Sequence, residues 1–323
     1  MNYLITGGAG FIGSHLTESL LADGHKVTVL DNFSTSTGEN LRAASAAYSS
    51  ALRVEELDVV KQPAAVEQFV RESDVVIHLA AAVGVSLVVN DPVRTITTNV
   101  HGTENVLVPA AKYHKRVVVA STSEVYGKSA NEKFSESDDL LIGSPSNSRW
   151  SYACSKLLDE FYLMAYQRSN AFPGTVVRFF NTVGPRQTGM YGMVVPRFVS
   201  AALKNEPIQV YGDGMQSRCF CHVQDVVRAL RLLLDNPGSV GEVFNIGSQE
   251  LVSILELARR VIAITGSSSK IEMIPYDVAY AQGFEDMRRR YPDTTKLRNL
   301  TGWSVSSSLD TIIRDVAADL QNR

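Results

Sequence analysis

The sequence predicts an α/β protein built on a doubly wound parallel sheet, and three observations lead there. Short β-branched runs alternate with longer helical patterns through the first half of the chain. Several of those runs are apolar on successive residues, as strands covered by helices on both faces are. The gaps between them are long enough to hold the crossovers that parallel pairing demands.

The elements follow in order. Strands are expected at residues 3–6, 26–30, 52–57, 75–79, 116–120 and 175–179, and helices near 97–113 and 149–169. After Asn181 the rhythm changes, with Gly184-Pro185, Gly189, Gly192, Gly212, Gly214 and Pro237-Gly238 punctuating shorter elements. Residues 1–181 are therefore expected to form the main sheet domain, which about 222–248 rejoin, and 182–323 mostly a smaller lobe. Residues 129–147, rich in Ser, Asp and Glu, read as a long surface loop able to cover a site.

Composition narrows the possibilities. With 323 residues, 45% of them hydrophobic, the chain can bury a large core. Lysine and arginine total 31 against 34 acidic residues, a net charge of −3, so no global field points to nucleic acid or anionic membrane. Cys154, Cys219 and Cys221 are too few for a disulfide framework and match no common zinc spacing, so no metal is expected. Residues 75–89 are too short and too polar to span a bilayer, and no signal-peptide pattern precedes the first strand, which leads us to expect a cytoplasmic protein.

The chemistry-bearing residues begin at the first strand. Gly7, Gly10 and Gly13 in GGAGFIG link it to the first helix, a spacing that brings backbone N–H groups and the helix amino terminus close to a pyrophosphate. The second strand ends in Asp31, where a carboxylate accepts from both ribose hydroxyls of adenosine and repels a 2′-phosphate, favouring NAD over NADP. Asp31 could equally initiate the turn Asp31-Asn32. Asp58 and Val59, after the third strand, are candidates to flank adenine. Leu79, Ala80 and Ala81 offer small residues where backbone passes near a cofactor. Tyr152 and Lys156 share a helix face at i,i+4, where an ammonium can lower the phenol's pKa and fit it to take a proton from a sugar hydroxyl. Taken alone, that pair also describes an ordinary amphipathic helix.

Together, the glycine turn, Asp31, residues 78–81 (HLAA), Asn99, residues 121–127 (STSEVYG) and Tyr152-x-x-x-Lys156 resemble the extended short-chain dehydrogenase/reductases that modify nucleotide sugars, over residues 2 to about 300. The resemblance implies a Rossmann domain with a smaller substrate lobe, a homodimer joined through the helices near 97–113 and 149–169, and tightly held NAD. It places NAD on Gly7, Gly10, Phe11, Ile12, Asp31, Asn32, Asp58, Val59, Leu79, Ala80, Ala81, Asn99, Ser121, Tyr152 and Lys156. Thr122, or its neighbour Ser121, would hydrogen-bond the sugar hydroxyl beside Tyr152. Residues 178–181, 184–186, 195–198, 209–214 and 216–218 resemble that family's UDP-sugar cradle, with Asn181, Val195, Arg197, Tyr211 and Arg218 as contacts. Arginine suits a diphosphate because its planar fork offers several donors. Arg186 and Arg197 are equally compatible with surface ion pairs.

Two features choose among the reactions of that family. Glu124, after Ser123, resembles the added carboxylate of the 4,6-dehydratases and the UDP-glucuronate decarboxylases. Residues 283–293 (GFEDMRRRYPD) resemble the decarboxylase segment that presents an active-site arginine before Pro-Asp. Aligning Tyr291 as the single intervening residue selects Arg290 from Arg288, Arg289 and Arg290. The implied reaction is NAD-dependent C4 oxidation of UDP-glucuronate, decarboxylation and re-reduction to UDP-xylose. Residues 184–197 read more like the corresponding loop of hexose 4-epimerases, so a UDP-sugar 4-epimerase is the alternative, with a 4,6-dehydratase behind it. A catalytically silent NAD sensor is a third class, against which the intact Thr122, Tyr152 and Lys156 argue.

Overall fold

The computed structural model describes residues 1–170, 172–189, 193–279 and 287–323. Six strands occur where the apolar runs place them: β1 (Asn2–Thr6), β2 (Lys26–Asp31), β3 (Leu52–Glu56), β4 (Val75–His78), β5 (Arg116–Thr122) and β6 (Gly174–Phe179). The chain continues through β7 (Thr182–Val183), β8 (Ile208–Tyr211), β9 (Ser217–Cys219) and β10 (Cys221–His222) to β11 (Val243–Ile246). The central sheet is wholly parallel, ordered β11-β6-β5-β4-β1-β2-β3. Sequence reading missed β11 as a strand because its four residues lie between turns, too short a run to register as periodic.

Successive side chains divide between the two faces of this sheet, as strand geometry requires. Tyr3, Ile5, Val75, Ile77, Val118 and Val177 pack with helix α1 (Phe11–Ala22) and a helix at Val223–Asp235. Leu4, Val76, Val117, Val119 and Val176 face helices at Pro63–Glu72, Pro92–Lys112 and Trp150–Asn170. Burial on both sides explains the runs of consecutive apolar residues. A second core gathers Val195, Phe198, Ile208, Val210, Leu257, Val261, Ile312 and Val316 into a smaller lobe.

The remaining strands bring that lobe to the sheet's carboxyl edge. β12 (Leu251–Ser253) pairs antiparallel with β9, while β14 (Arg289–Arg290) pairs parallel with it and sets Arg290 beside Arg218; between them, β13 (Ile271–Ile274) pairs with β8. Residues 129–147 are not the free surface loop their polarity suggests. Phe134 is buried, stacked at 4.7 Å on Tyr126, and the loop is sewn to the chain after β14 by Phe134 N–H donating to Tyr291 O and Asp293 N–H to Phe134 O, both 2.8 Å. Gly192 and residues 283–286 of the motifs quoted above lie outside the described residues.

Candidate active site

A continuous cleft of about 1630 Å³ runs from the glycine turn to the second lobe. It exceeds the usual range for one small ligand and suits a dinucleotide beside a nucleotide sugar. Every candidate residue named from sequence lines it except Asn99. Asn99 is fully buried behind the wall, accepting from Ala82 N–H at 2.8 Å and donating to Ser155 Oγ at 3.0 Å, so it braces the cleft without reaching it.

At one end the chain's own geometry fits a dinucleotide. Gly7 has φ +70°, and a Cβ there would meet Ala80 N at 2.8 Å. A Cβ on Gly13 would meet Gly7 O at 2.4 Å. Helix α1 begins at Gly10 with no side-chain cap, leaving amino-terminal N–H donors beside the cleft that a diphosphate can satisfy. Asp31 Oδ2 accepts from Ala9 N–H at 3.0 Å and Oδ1 from Phe33 N–H at 2.9 Å. Asp31 thus initiates the turn, and with three backbone N–H groups on its two oxygens the carboxylate still has acceptor capacity to spare. Burial pushes its carboxyl above the ordinary value, opposed by the N–H groups of Phe33, Ala9 and Gly10. Asp58 accepts from the Asn32 amide at 3.3 Å. Burial raises it too, but Val60 N–H, Asn32 and Lys61 together hold it below its usual range.

The catalytic candidates converge at the centre. Helix Trp150–Asn170 forms as expected and turns both Tyr152 and Lys156 into the cleft. The phenol's electrostatics differ from the sequence expectation. Its pKa lies well above 10.0, pushed up first by burial, then by Glu124 and Asp159, with Thr122 and Arg290 pulling it down. Beside it, Lys156 Nζ donates to Asp159 Oδ2 at 2.6 Å in a buried ion pair, so the ammonium expected to lower the phenol is compensated and burial dominates. Ser121 Oγ donates to Glu160 Oε1 at 2.5 Å, which commits its proton and leaves Thr122, bonded to the phenol, as the hydroxyl beside Tyr152.

Glu124 is held by arginines. Arg290 Nη2 lies 2.9 Å from its Oε1 and Arg149 Nη2 3.5 Å from its Oε2. Burial would raise the carboxyl, yet Arg290, Arg149 and Arg218 keep it below its ordinary value. Of the three consecutive arginines, 288 and 289 are exposed and 290 faces the cleft. Ser123 is buried between Thr122 and Glu124.

In the second lobe Arg218 is buried on β9 and Arg197 stacks over the Tyr211 ring at 4.3 Å. Val195 is buried near the start of its helix, and Asn181, at φ +39°, donates to Cys219 O at 2.9 Å. Arg186 proves to be an ion-pair residue, gripping both oxygens of Glu18 at 2.7 and 2.8 Å. Cys219 and Cys221 are buried, and burial pushes the Cys219 thiol up to about 12. Sequence reasoning missed Arg149 and Asp159 as site residues. The available signal was spacing: Arg149 lies three residues before Tyr152, in the turn that leads into the helix, and Asp159 three after Lys156 on it.

A sequence profile of the NAD dependent epimerase/dehydratase family matches residues 3–247. The chain is 43% identical over 298 residues to a UDP-N-acetyl-α-D-glucosaminuronate decarboxylase of Bacillus cytotoxicus, covering 92% of this chain and 90% of that protein. It is 35% identical over 323 residues to UDP-glucuronic acid decarboxylase 1 of Arabidopsis thaliana, covering all of this chain and 70% of the relative. Among solved structures, UDP-glucuronic acid 4-epimerase from Bacillus cereus, in complex with UDP-glucuronic acid and NAD, superposes with a TM-score of 0.88 at 26% identity, over 100% of this chain and 99% of that one.

Proposed function

The chain belongs to the NAD-dependent epimerase/dehydratase family, and from that premise we propose that it converts UDP-glucuronate to UDP-xylose and CO₂ by oxidation at C4, decarboxylation and re-reduction. One observation supports this choice within the family: Glu124 and Arg290 meet at 2.9 Å in the same cleft as Tyr152. A simple 4-epimerisation has no use for a carboxylate–guanidinium pair at that place.

The residues divide the work as follows. Gly7, Gly10 and the amino-terminal N–H groups of α1 would hold the dinucleotide's diphosphate, Asp31 its adenosine ribose, and Lys156 its nicotinamide ribose. NAD, when bound, accepts hydride from C4 and later returns it, and its nicotinamide brings a positive charge. Tyr152, hydrogen-bonded to Thr122, takes the C4 hydroxyl proton as the ketone forms. Arg290 positions the uronate carboxylate β to that ketone. The bond from C5 to the carboxylate then breaks, CO₂ leaves, and its electron pair passes into the ketone as an enolate. Glu124 and Ser123 deliver a proton to C5, and Tyr152 gives its own back to O4. One solvent proton is consumed in the net reaction.

Relatives support the substrate class: the protein from Arabidopsis thaliana is a UDP-glucuronic acid decarboxylase and the one from Bacillus cytotoxicus acts on the 2-acetamido uronate. A UDP-sugar 4-epimerase is the second reading, favoured by the epimerase-like residues 184–197. Incubating the purified protein separately with UDP-glucuronate, its 2-acetamido counterpart, UDP-glucose and UDP-GlcNAc, and weighing each product by mass spectrometry, separates the two. A uronate product lighter by CO₂ supports decarboxylation, whereas a species of unchanged mass whose ¹H NMR couplings differ from those of its substrate, from any of the four, supports epimerisation. We infer further that the protein is a homodimer. Exposed Val108, Leu158 and Phe161 present an apolar face on the paired helices Pro92–Lys112 and Trp150–Asn170, and Phe161→Lys should yield a monomer by light scattering.

A further inference from the structure

Lys156 and Asp159 stand one turn apart on the catalytic helix with both side chains buried and Nζ 2.6 Å from Oδ2. A buried carboxylate this close to a catalytic ammonium is an expensive arrangement unless something holds it in place. A chain of hydrogen bonds does so from the opposite side. Ala80 N–H donates to Thr6 Oγ1 at 3.3 Å, and Thr6 Oγ1 lies 2.7 Å from His78 Nδ1. His78 Nε2 lies 3.1 Å from Thr103 Oγ1, and the Thr103 hydroxyl bonds Asp159. The Asp159 carboxylate can only accept, and that orders the rest: Thr103 points its proton at the carboxylate, His78 keeps one on Nε2 for Thr103, and Thr6 gives its own to Nδ1 while accepting from Ala80 N–H. His78 is fully buried and neutral, so the chain adds aligned dipoles and no net charge.

We propose that Asp159 is a positioning residue whose charge cancels that of Lys156, so that Tyr152 stays protonated on this chain alone and ionises when the oxidised nicotinamide adds a positive charge. The phenol would thereby serve as base toward the alcohol and, once that charge is gone, as acid toward the ketone. Burial raises the phenol first, and the charged groups that act on it most strongly fit this account, Arg149 and Arg218 being turned to Glu124. Glu124 opposes ionisation from the turn after β5, Arg290 favours it from β14 while paired with Glu124, and Lys156 with Asp159 sums to zero on its own helix. The proposal rests on the NAD-dependent reading of the site and not on which sugar is bound.

The test needs no substrate. Protein labelled with ¹³C at tyrosine Cζ is titrated by NMR with NAD⁺ bound and no sugar nucleotide, the Tyr152 signal being the one lost in Tyr152→Phe. In Asp159→Asn the phenol should titrate at least about one pH unit lower than in the wild type, and Asp159→Glu should return it toward the wild-type curve. Asp159→Ser gives the same readout should the Asn variant fail to fold. A Tyr152 curve that stays put or moves upward in the neutral variants, even with a lowered melting temperature, would make Asp159 merely structural and overturn the proposal. Failure of the decarboxylase assignment would leave this titration unchanged, so the two ideas fall separately.

Discussion

Arg290 reaches from one lobe to Glu124 of the other, its Nη2 2.9 Å from Oε1, in a pocket where both side chains are mostly buried. The strand pairing that sets Arg290 beside Arg218 makes this contact possible, and it joins the diphosphate candidate to the acid–base candidate through one short ladder. Such a buried pair is costly to break from one side. An incoming uronate carboxylate offers Arg290 a second anion, and release of Glu124 from its arginine lets its pKa rise toward the range of a proton donor. Glu124→Gln and Arg290→Ala should each lower CO₂ release by roughly 10²–10⁴-fold while nucleotide affinity, measured by calorimetry with UDP, stays within a few-fold. Full decarboxylation by both variants would remove these residues from the mechanism.

Asp31 is the residue proposed to set cofactor choice. Its carboxylate braces the glycine turn through Ala9 N–H and closes the next turn through Phe33 N–H. Asp31→Ala should weaken NAD binding by about ten- to a hundredfold, the worth of one charged hydrogen bond, and narrow the preference over NADP. Fluorescence titration with both dinucleotides reads the change.

Phe134 is the stay of the loop at 129–147. It stacks on Tyr126, packs near Phe180 and exchanges two backbone hydrogen bonds with the segment just after Arg290. Phe134→Ala should cost about 3–5 kcal/mol of stability through the cavity it leaves. It should also reduce kcat with NAD affinity unchanged, because the loosened segment is the one that aims Arg290. Thermal denaturation and steady-state kinetics on one preparation check both.

His78 predicts acid sensitivity. Burial, with a smaller push from Lys156, lowers its pKa from 6.5 to about 3 in the fold. Between those values the unfolded chain binds a proton that the folded chain refuses, so stability falls as pH drops through that window and is unaffected by this group above it. The slope should be roughly 1.4 kcal/mol per pH unit. Urea midpoints across the window, compared with His78→Asn, should show the variant losing about one proton's worth of that slope.

Much of this site was legible from sequence because its parts announce themselves locally. The glycine turn is a backbone requirement, and Tyr152 with Lys156 is a helix-face requirement, so both survive into the structure as read. Glu124 was readable beside Ser123, and Arg290 only through its distance from Pro292. What stayed hidden depends on partners far away in the chain. Asp159 looks like any helix carboxylate until Thr103 and His78 are packed behind it, and it adds to the burial and the Glu124 charge that raise the phenol where Lys156 alone was expected to lower it. Likewise, one aromatic residue in a polar loop carries no period, so the anchoring of Phe134 could not be seen.

The central claim is that Tyr152 draws a proton from the C4 hydroxyl while hydrogen leaves C4 for a dinucleotide that never departs and later returns it to the same carbon. UDP-glucuronate deuterated at C4 tests it in one measurement, with product mass and label position read together. The wild type should release CO₂ and yield UDP-xylose with deuterium still at C4, and Tyr152→Phe should yield neither. A product of unchanged mass, deuterium lost to solvent, or undiminished turnover by the Phe variant would contradict the account.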